Sequence, residues 1–267
     1  MNSNHAIGLL DSGVGGLTVV KEIMKQLPQE KIVYYGDTAR MPYGSRPQAQ
    51  VRGFASQIIN FLITQEVKLI IVACNTATAA GLPYYQQEFS LPIIGVIEPG
   101  VRAALRQTKR KKIGVIGTEG TIASKAYEES IKRHDPTVQV YSQACPLFVL
   151  IVENGLVDSP EALCVAEHYL RPLKEAGVDV LILGCTHYPL MSHVISKVMG
   201  PDVKLISSAA ETALEAKNIL SKGNMLRQAA PETVKHRFFV SGNPGAFNAI
   251  GESLLQCSLS TYQLLLP

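Results

Sequence analysis

One sequence pattern occurs twice in this chain, as Leu69-Ile70-Ile71-Val72-Ala73-Cys74-Asn75-Thr76 and as Val180-Leu181-Ile182-Leu183-Gly184-Cys185-Thr186-His187. In each copy a run of β-branched residues and leucine ends in a small residue, and a cysteine and two polar residues follow. Such apolar runs are typical of strands that are buried on both faces of a parallel sheet. A cysteine at the carboxyl end of such a strand lies where open α/β folds bind ligands. The pattern therefore predicts a site with a thiol on each side of the ligand.

Strand-like and helix-like segments alternate along the chain, which predicts α/β layers built on parallel sheets. The predicted strands are Ala6–Leu10, Lys31–Tyr35, Lys68–Ala73, Pro92–Ile97, Val203–Ile206 and His236–Val240. The predicted helices include Gly15–Gln26, Gln48–Glu66 and Ser208–Lys222.

The pattern restarts after the first hundred or so residues, because Ile7–Thr18 resembles Ile113–Ile122. These two segments and the two cysteine segments are separated by nearly the same distance along the chain, which indicates a repeat of a whole domain. We expect two similar, doubly wound parallel-sheet domains. The first spans residues 1–98 and is completed by 207–267, and the second spans 99–206.

The composition is that of a globular protein with room for two domains, since 46% of the 267 residues are hydrophobic and 18% are charged. The run Lys109-Arg110-Lys111-Lys112 supplies much of the net charge of +3, and a solvated linker explains it best. No basic patch is interleaved with aromatic residues, so we expect no nucleic-acid partner.

The N-terminal sequence has no cationic region before a long apolar stretch, and no apolar run reaches transmembrane length. We therefore expect no signal peptide and no membrane partner. Five cysteines without a CxxC pair argue against a disulfide framework and against a zinc cluster. This cysteine usage predicts a cytoplasmic protein without a metal site.

The turn Asp11-Ser12-Gly13-Val14-Gly15-Gly16 follows a predicted strand and opens a helix, so its amides could hold an anion. It is not a P-loop, and Thr18 stands where the third glycine of a dinucleotide fingerprint belongs. A plain tight turn explains the glycines equally well. The Asp11 carboxylate could bind a substrate ammonium group or orient a thiol.

The two cysteines carry the strongest chemical signal. A helix N-terminus or a nearby cation favours the reactive thiolate, and the polar pairs Asn75-Thr76 and Thr186-His187 suit a carboxylate. His187 can exchange protons with a thiol. Two thiols on opposite faces of one carbon can remove a proton from one face and deliver one to the other, which inverts a stereocentre. The other three cysteines lack such polar neighbours and are interpreted as structural; they are Cys145, Cys164 and Cys257.

A further candidate is the loop Asp37-Thr38-Ala39-Arg40-Met41-Pro42-Tyr43-Gly44, which follows a predicted strand. It is either a structural proline turn or a lid or wall of the substrate site.

Four segments together resemble bacterial glutamate racemases, in order and at suitable spacing over nearly the whole chain. They are Leu10–Gly16, Asp37–Gly44, Ala73–Ala77 and Gly184–Leu190. The resemblance implies two α/β domains related by pseudo-symmetry, with the active site in the cleft between them. It also implies cofactor-independent interconversion of L- and D-glutamate, a supply of D-glutamate for peptidoglycan synthesis, and a homodimer. Because Asp11 comes early, we expect no N-terminal extension and no dependence on a cell-wall precursor as activator.

The resemblance further implies roles for individual residues. Cys74 would act on the D-enantiomer and Cys185 on the L-enantiomer, with Asp11 and His187 assisting the thiols. Glu153 looks like a further family carboxylate near the site, on a looser match, and is included among the predicted catalytic residues. The substrate contacts implied in this way are Asp11, Ser12, Tyr43, Gly44, Asn75, Thr76, Thr186 and His187.

Three other functions stay open at this point. An aspartate racemase would use the same two thiols on a shorter substrate. A non-catalytic module that binds an amino acid would have a similar cleft but no need for paired thiols. In a thiol redox protein, Cys74 and Cys185 would form a disulfide across the cleft.

Overall fold

The computed structural model describes residues 2–228, 230 and 234–267. Its strands are β1 (Ala6–Asp11), β2 (Ile32–Gly36), β3 (Val67–Val72), β4 (Ile93–Gly95), β5 (Lys112–Gly117), β6 (Gln139–Ala144), β7 (Val180–Gly184), β8 (Lys204–Ile206), β9 (Arg237–Val240) and β10 (Thr261–Gln263). Its α-helices are α1 (Leu17–Gln26), α2 (Gln48–Thr64), α3 (Asn75–Glu88), α4 (Ile97–Gln107), α5 (Glu119–Ala123), α6 (Ala126–His134), α7 (Leu147–Glu153), α8 (Pro160–Glu175), α9 (Ser192–Met199), α10 (Ala209–Lys222) and α11 (Pro244–Leu255). A short 3-10 helix spans Tyr188–Met191.

The strands form two sheets in which all neighbours are parallel. The first has the order β10-β9-β2-β1-β3-β4, and the second has the order β6-β5-β7-β8. The order β2-β1-β3-β4 within the first sheet is the order of the whole second sheet, so β1 corresponds to β5 and β3 to β7. The predicted fold class of two similar α/β units is thereby confirmed.

Alternating side chains of the central strands enter two different apolar layers. In β1, Ile7 and Leu9 belong to the layer with α1 and α10, whereas Leu10 belongs to the layer with α2 and α3. In β7, Leu181 and Val180 likewise enter opposite layers. Helices cover both faces of each sheet, which is why these strands read as continuous apolar runs in the sequence.

The predicted strand Pro92–Ile97 is too long, because the strand in the structure ends at Gly95. Val96 already has helical backbone angles, and Ile97 is the first residue of α4. Pro99 lies in the first turn of this helix, where proline leaves no backbone hydrogen bond unmade. Two further strands were not predicted from the sequence: β6, a partly exposed edge strand of mixed polarity, and the short β10.

The chain passes from the first sheet to the second through α4 and returns through α10. Helix α4 packs on β7 and β8, while α10 packs on α1 and β4, and the two helices also touch each other. Strands β9 and β10 then extend the first sheet beside β2. The domain boundaries near residues 98 and 206 stay predictions.

The longest helix of the described residues, Gln48–Thr64, has 17 residues. Within residues 2–228, 230 and 234–267, no helix combines the length and the apolar character that crossing a membrane requires.

A buried ion pair closes the amino-terminal edge of the first sheet. Lys68 Nζ lies 2.6 Å from Glu30 Oε2, and both side chains are almost completely inaccessible to solvent. The same ammonium group donates to the backbone oxygens of Ser3 and Met225, each at 2.7 Å. Glu30 also accepts a hydrogen bond from the Arg227 amide. The pair therefore links β3 to the start of the chain and to the segment after α10.

We predict that Lys68→Met lowers the free energy of unfolding by about 3–5 kcal/mol, because it leaves the Glu30 carboxylate buried without its cation. The matched control is Lys111→Met, which removes the half-exposed partner of Asp135 and should cost less than about 1 kcal/mol. Urea unfolding of both variants measures the difference. Equal, small losses would contradict the structural role of the buried pair.

Candidate active site

Cys74 lies two residues after the end of β3 and caps the N-terminus of α3. Its sulfur accepts a hydrogen bond from the Ala77 amide at 3.5 Å and lies 3.9 Å from Ser12 Oγ. Burial, together with the nearby charge of Asp11, raises the pKa of the Cys74 thiol to about 12, and the Ala77 amide opposes this rise. Cys74 is therefore a protonated thiol at neutral pH.

Cys185 directly follows β7 and is hydrogen bonded to a histidine. Its sulfur lies 3.7 Å from His187 Nδ1, and His187 Nε2 lies 2.6 Å from Glu153 Oε1 at the end of α7. Burial alone would lower the pKa of His187, but the hydrogen bonds with Cys185 and Glu153 prevail and raise it to about 10. The imidazole is therefore positively charged at neutral pH and lies between a sulfur and a carboxylate.

Asp11, the last residue of β1, connects the two sheets. It is completely buried and accepts hydrogen bonds from the Gly13 amide at 2.9 Å and from Thr186 Oγ1 at 3.1 Å. Burial raises the pKa of Asp11, and the charge of His187 opposes that rise. The Gly13 amide, one of the donors considered for an anion, is thus occupied by the protein itself.

The glycine-rich turn after β1 allows the second sheet to come very close. A Cβ atom added to Gly15 would lie 2.4 Å from Thr186 Oγ1 and 2.7 Å from His187 Nδ1. These distances leave no space for a side chain at position 15. The turn therefore serves as a contact surface between the two halves of the site.

A narrow cavity of about 20 Å³ lies between the carboxyl ends of the two sheets, and both thiols line it. The structure brings nearly all the predicted substrate contacts together here. Its lining residues are Ser12, Pro42, Tyr43, Gly44, Cys74, Asn75, Thr76, Thr118, Val149, Cys185, Thr186 and His187. Asp11 and Glu153 are set behind this lining and reach it through hydrogen bonds to Thr186 and His187.

The loop between β2 and α2 forms one wall of this cavity. The Tyr43 hydroxyl donates to the buried Asp37 carboxylate, which also accepts from Arg40 Nε at 2.7 Å and from Ser241 Oγ at 2.8 Å. Gly44 O accepts a hydrogen bond from the Gly120 amide on α5, at 2.8 Å. The loop is thereby fixed to the first sheet and also joined to the second half of the molecule.

Thr118 and Val149 also line the cavity, and neither was predicted from the sequence as a site residue. Thr118 Oγ1 lies 2.9 Å from Thr76 Oγ1 and 3.0 Å from Thr121 Oγ1, so three hydroxyls form a cluster. The internal repeat could have identified Thr118, because Thr118 follows β5 as Ser12 follows β1. By contrast, the three cysteines interpreted as structural do not line the cavity; Cys145 is buried, and Cys164 and Cys257 are exposed.

The chemistry available here is acid–base chemistry at sulfur. A protonated Cys74 faces the cavity from one half, and Cys185 with its charged histidine faces it from the other. Hydroxyl and amide groups from both halves can hold a carboxylate. Over the residues that the structure describes, no group of three or more His, Cys, Asp and Glu side chains is arranged to hold a metal ion.

Comparison with known proteins agrees with this geometry. The sequence model of the family described as Asp/Glu/Hydantoin racemase matches residues 7–216. The chain is 51% identical to the glutamate racemase of Geobacter metallireducens, over 94% of this chain and 92% of that protein. The crystal structure of glutamate racemase isoform RacE1 from Bacillus anthracis matches with a TM-score of 0.96 and 46% identity, covering 100% of this chain and 99% of that one. The structure of glutamate racemase from Francisella tularensis in complex with D-glutamate matches with a TM-score of 0.92 and 38% identity, covering 99% and 98% of the two chains.

We predict that the stability conferred by His187 depends on pH. Its folded-state pKa of about 10 exceeds the usual value, so its protonation stabilises the fold fully below about pH 6.5, and this contribution is lost as the pH rises towards 10. Glu153→Gln removes one cause of the raised pKa. Between pH 7 and 10 the free energy of unfolding should fall more steeply in the wild type than in the variant, by on the order of 2 kcal/mol.

Urea unfolding across this pH range measures both profiles. The control is Asp158→Asn, which removes the carboxylate of the exposed pair with His193 and should leave the profile unchanged. Superimposable profiles for the wild type and Glu153→Gln would show that Glu153 does not keep His187 charged.

Proposed function

The chain belongs to the Asp/Glu/hydantoin racemase family, and on this basis we propose that it interconverts L-glutamate and D-glutamate without a cofactor. The observation that carries the proposal is the placement of Cys74 and Cys185. They follow corresponding strands of two similar sheets and line one cavity from its two halves. Proteins that match it over nearly the full length in sequence and structure carry the name glutamate racemase, and the Francisella protein was solved with D-glutamate.

In the direction from L- to D-glutamate, Cys185 as a thiolate removes the α-proton. The Cα–H bond breaks, an S–H bond forms on Cys185, and the electron pair stays on the substrate. The Cys74 thiol then delivers its proton to the opposite face of the α-carbon and becomes a thiolate. Its raised pKa supports this role, because Cys74 is protonated before the reaction begins.

In the reverse direction the two thiols exchange roles. Cys74 must then lose its proton, and the buried Asp11 carboxyl group next to it is suited to assist that transfer. The charged imidazole of His187 stabilises the Cys185 thiolate in the direction from L- to D-glutamate. In the reverse direction it supports protonation of the Cys185 thiolate. Glu153 acts through His187, whose imidazole it keeps oriented and charged. We therefore assign Asp11 and His187 as assistants of the thiols and Glu153 as a positioning residue.

The carboxylates of glutamate need fixed hydrogen-bond donors, since negative charge develops next to the α-carbon during the reaction. We propose that Ser12, Asn75 and Thr76 supply donors from the first half. Thr186 and the wall residues Tyr43 and Gly44 complete the pocket, and Thr118 adds a hydroxyl from the second half. The cavity of the free enzyme is narrow, so binding would involve a small opening of the cleft.

Aspartate is the alternative substrate, and one methylene group is worth only about 1–3 kcal/mol in such a pocket. Similarity to glutamate racemases over nearly the full length favours glutamate. A binding module without catalysis would not need two thiols at corresponding strand ends. A redox protein would not need the donors for carboxylates around them.

We further propose that the product D-glutamate serves peptidoglycan synthesis, that the protein acts in the cytoplasm, and that it forms a homodimer. The peptidoglycan role and the homodimer come from the family resemblance, and the cytoplasmic location comes from the cysteine usage. Size-exclusion chromatography with light scattering tests the oligomeric state directly.

We predict that Cys74→Ser and Cys185→Ser each reduce racemisation of glutamate by about 10²–10⁴-fold, because each removes one of the two acid–base groups. The measurement is circular dichroism of L- and D-glutamate incubated with purified protein and no pyridoxal phosphate. Cys164→Ser is the matched control, since this thiol is exposed and outside the cavity, and it should retain wild-type rates.

Each single variant keeps one thiol and should act on one enantiomer only. With a glutamate derivative that carries a good leaving group, Cys74→Ser should promote elimination from the L-form and Cys185→Ser from the D-form. Normal racemisation by both single variants would contradict the two-thiol mechanism. Racemisation of aspartate in preference to glutamate would reassign the substrate.

A further inference from the structure

Tyr127 belongs to the second half of the molecule but hydrogen bonds to the first half of the site. It lies on α6 and packs in the apolar layer of the second sheet, where its side chain is almost completely buried. Its hydroxyl donates to Asn75 Oδ1 at 2.6 Å. Asn75 directly follows Cys74 and lines the cavity. The contact therefore joins a second-half side chain to the residue beside the first thiol.

The nitrogen of the Asn75 side-chain amide has no hydrogen-bond partner. This Nδ2 atom is buried, and the whole residue is only 2% exposed. Buried polar groups in folded proteins are nearly always paired, so an unpaired donor on a cavity wall indicates a position that a ligand fills. The donor type matters, since a carboxylate accepts hydrogen bonds and does not donate them.

The Tyr127 hydroxyl fixes the orientation of this amide, because it holds Oδ1 as its acceptor and leaves Nδ2 as the end without a partner. Asn75 Oδ1 is the one acceptor that the described part of the chain offers to the Tyr127 proton. If the amide were reversed, that proton would lose its acceptor, and Asn75 would present an oxygen to a bound carboxylate. Both changes are unfavourable inside a buried site.

We propose that Tyr127 is a positioning residue that holds the Asn75 amide with its Nδ2 donor directed at a substrate carboxylate. The proposal rests on the proposed racemase function and extends it to a residue outside the cavity lining. Tyr127 acts through Asn75 and does not touch the reacting atoms.

The ring of Tyr127 also touches the second thiol segment. A Cβ atom added to Gly184, the residue before Cys185, would lie 3.0 Å from Tyr127 Cε2. One side chain thus contacts the residue after one thiol and the residue before the other. The position of the Asn75 donor is therefore tied to the second sheet as well as to α3.

The test is Tyr127→Phe, which removes the hydroxyl and keeps the ring against Gly184. We expect KM for both enantiomers to rise about tenfold, as for the loss of one oriented hydrogen bond to a charged group. We expect kcat to stay within about twofold, because a binding interaction common to ground state and transition state is lost. Asn75→Ala should raise KM as well, and Tyr127→Phe should add nothing further in the Asn75→Ala background.

Tyr35→Phe is the matched control. Tyr35 is also a buried tyrosine, and its hydroxyl donates to a backbone oxygen, Leu264 O, at 2.8 Å. Its removal should leave both KM values unchanged. Wild-type KM in Tyr127→Phe would overturn the proposal, as would a full additional effect on top of Asn75→Ala. A lower melting temperature and lower kcat at unchanged KM would show a purely structural role.

Two further measurements test the proposal if the wild type is inactive on glutamate or if Tyr127→Phe does not fold. If the wild type does not racemise glutamate, the proposed function fails, but calorimetry with D-glutamate still tests whether Tyr127→Phe weakens binding about tenfold.

If Tyr127→Phe does not fold, Asn75→Asp tests the same orientation of the residue 75 side chain. It keeps an acceptor for Tyr127 and places an oxygen where Nδ2 stood, so KM should rise at least about a hundredfold with stability retained. A wild-type KM in Asn75→Asp would overturn the proposal.

Discussion

The hydrogen bond between Thr186 and the buried Asp11 carboxylate joins the carboxyl ends of the two sheets, and the geometry of the cavity depends on this contact. It is possible only because Gly15 leaves space for Thr186 and His187 to approach the first turn. The hydrogen bond between Gly120 and Gly44 adds a second connection at the loop that carries Tyr43. Together these contacts bring two thiols that are far apart in sequence into one buried cavity.

The two halves share a backbone plan but differ in the groups beside their thiols. In the repeat, Gly117 stands where Asp11 stands, and Thr76 stands where His187 stands. Cys74 consequently has a buried carboxyl group nearby and stays protonated, while Cys185 has a charged histidine. A two-thiol mechanism requires one protonated and one ionised group at the start of each turnover. The departures from the repeat give the two thiols different neighbours without any change in the fold.

Much of this arrangement could be predicted from the sequence. The apolar runs before Cys74 and Cys185 identified buried parallel strands, and their polar neighbours indicated the cavity lining. The predicted end of β4 was wrong, because the apolar run continues from the strand into the first residue of α4, Ile97. An apolar run alone does not mark the boundary between a buried strand and a buried helix. Strand β6 was missed because its mixed polarity reflects an exposed edge. The contact between Tyr127 and Asn75 depends on how the two halves dock, and no local pattern encodes that distance.

In the two-thiol mechanism, two groups on opposite faces exchange the α-proton, and hydrogen isotope tracing tests this exchange most directly. L-glutamate would be incubated with the protein in D2O and stopped at low conversion, and the deuterium content of each enantiomer would be measured after chiral separation. Two thiols predict that the D-glutamate formed carries one deuterium at the α-carbon while the remaining L-glutamate carries almost none. Deuterium appearing equally fast in the remaining L-glutamate would indicate a single group acting on both faces and would contradict the two-thiol mechanism.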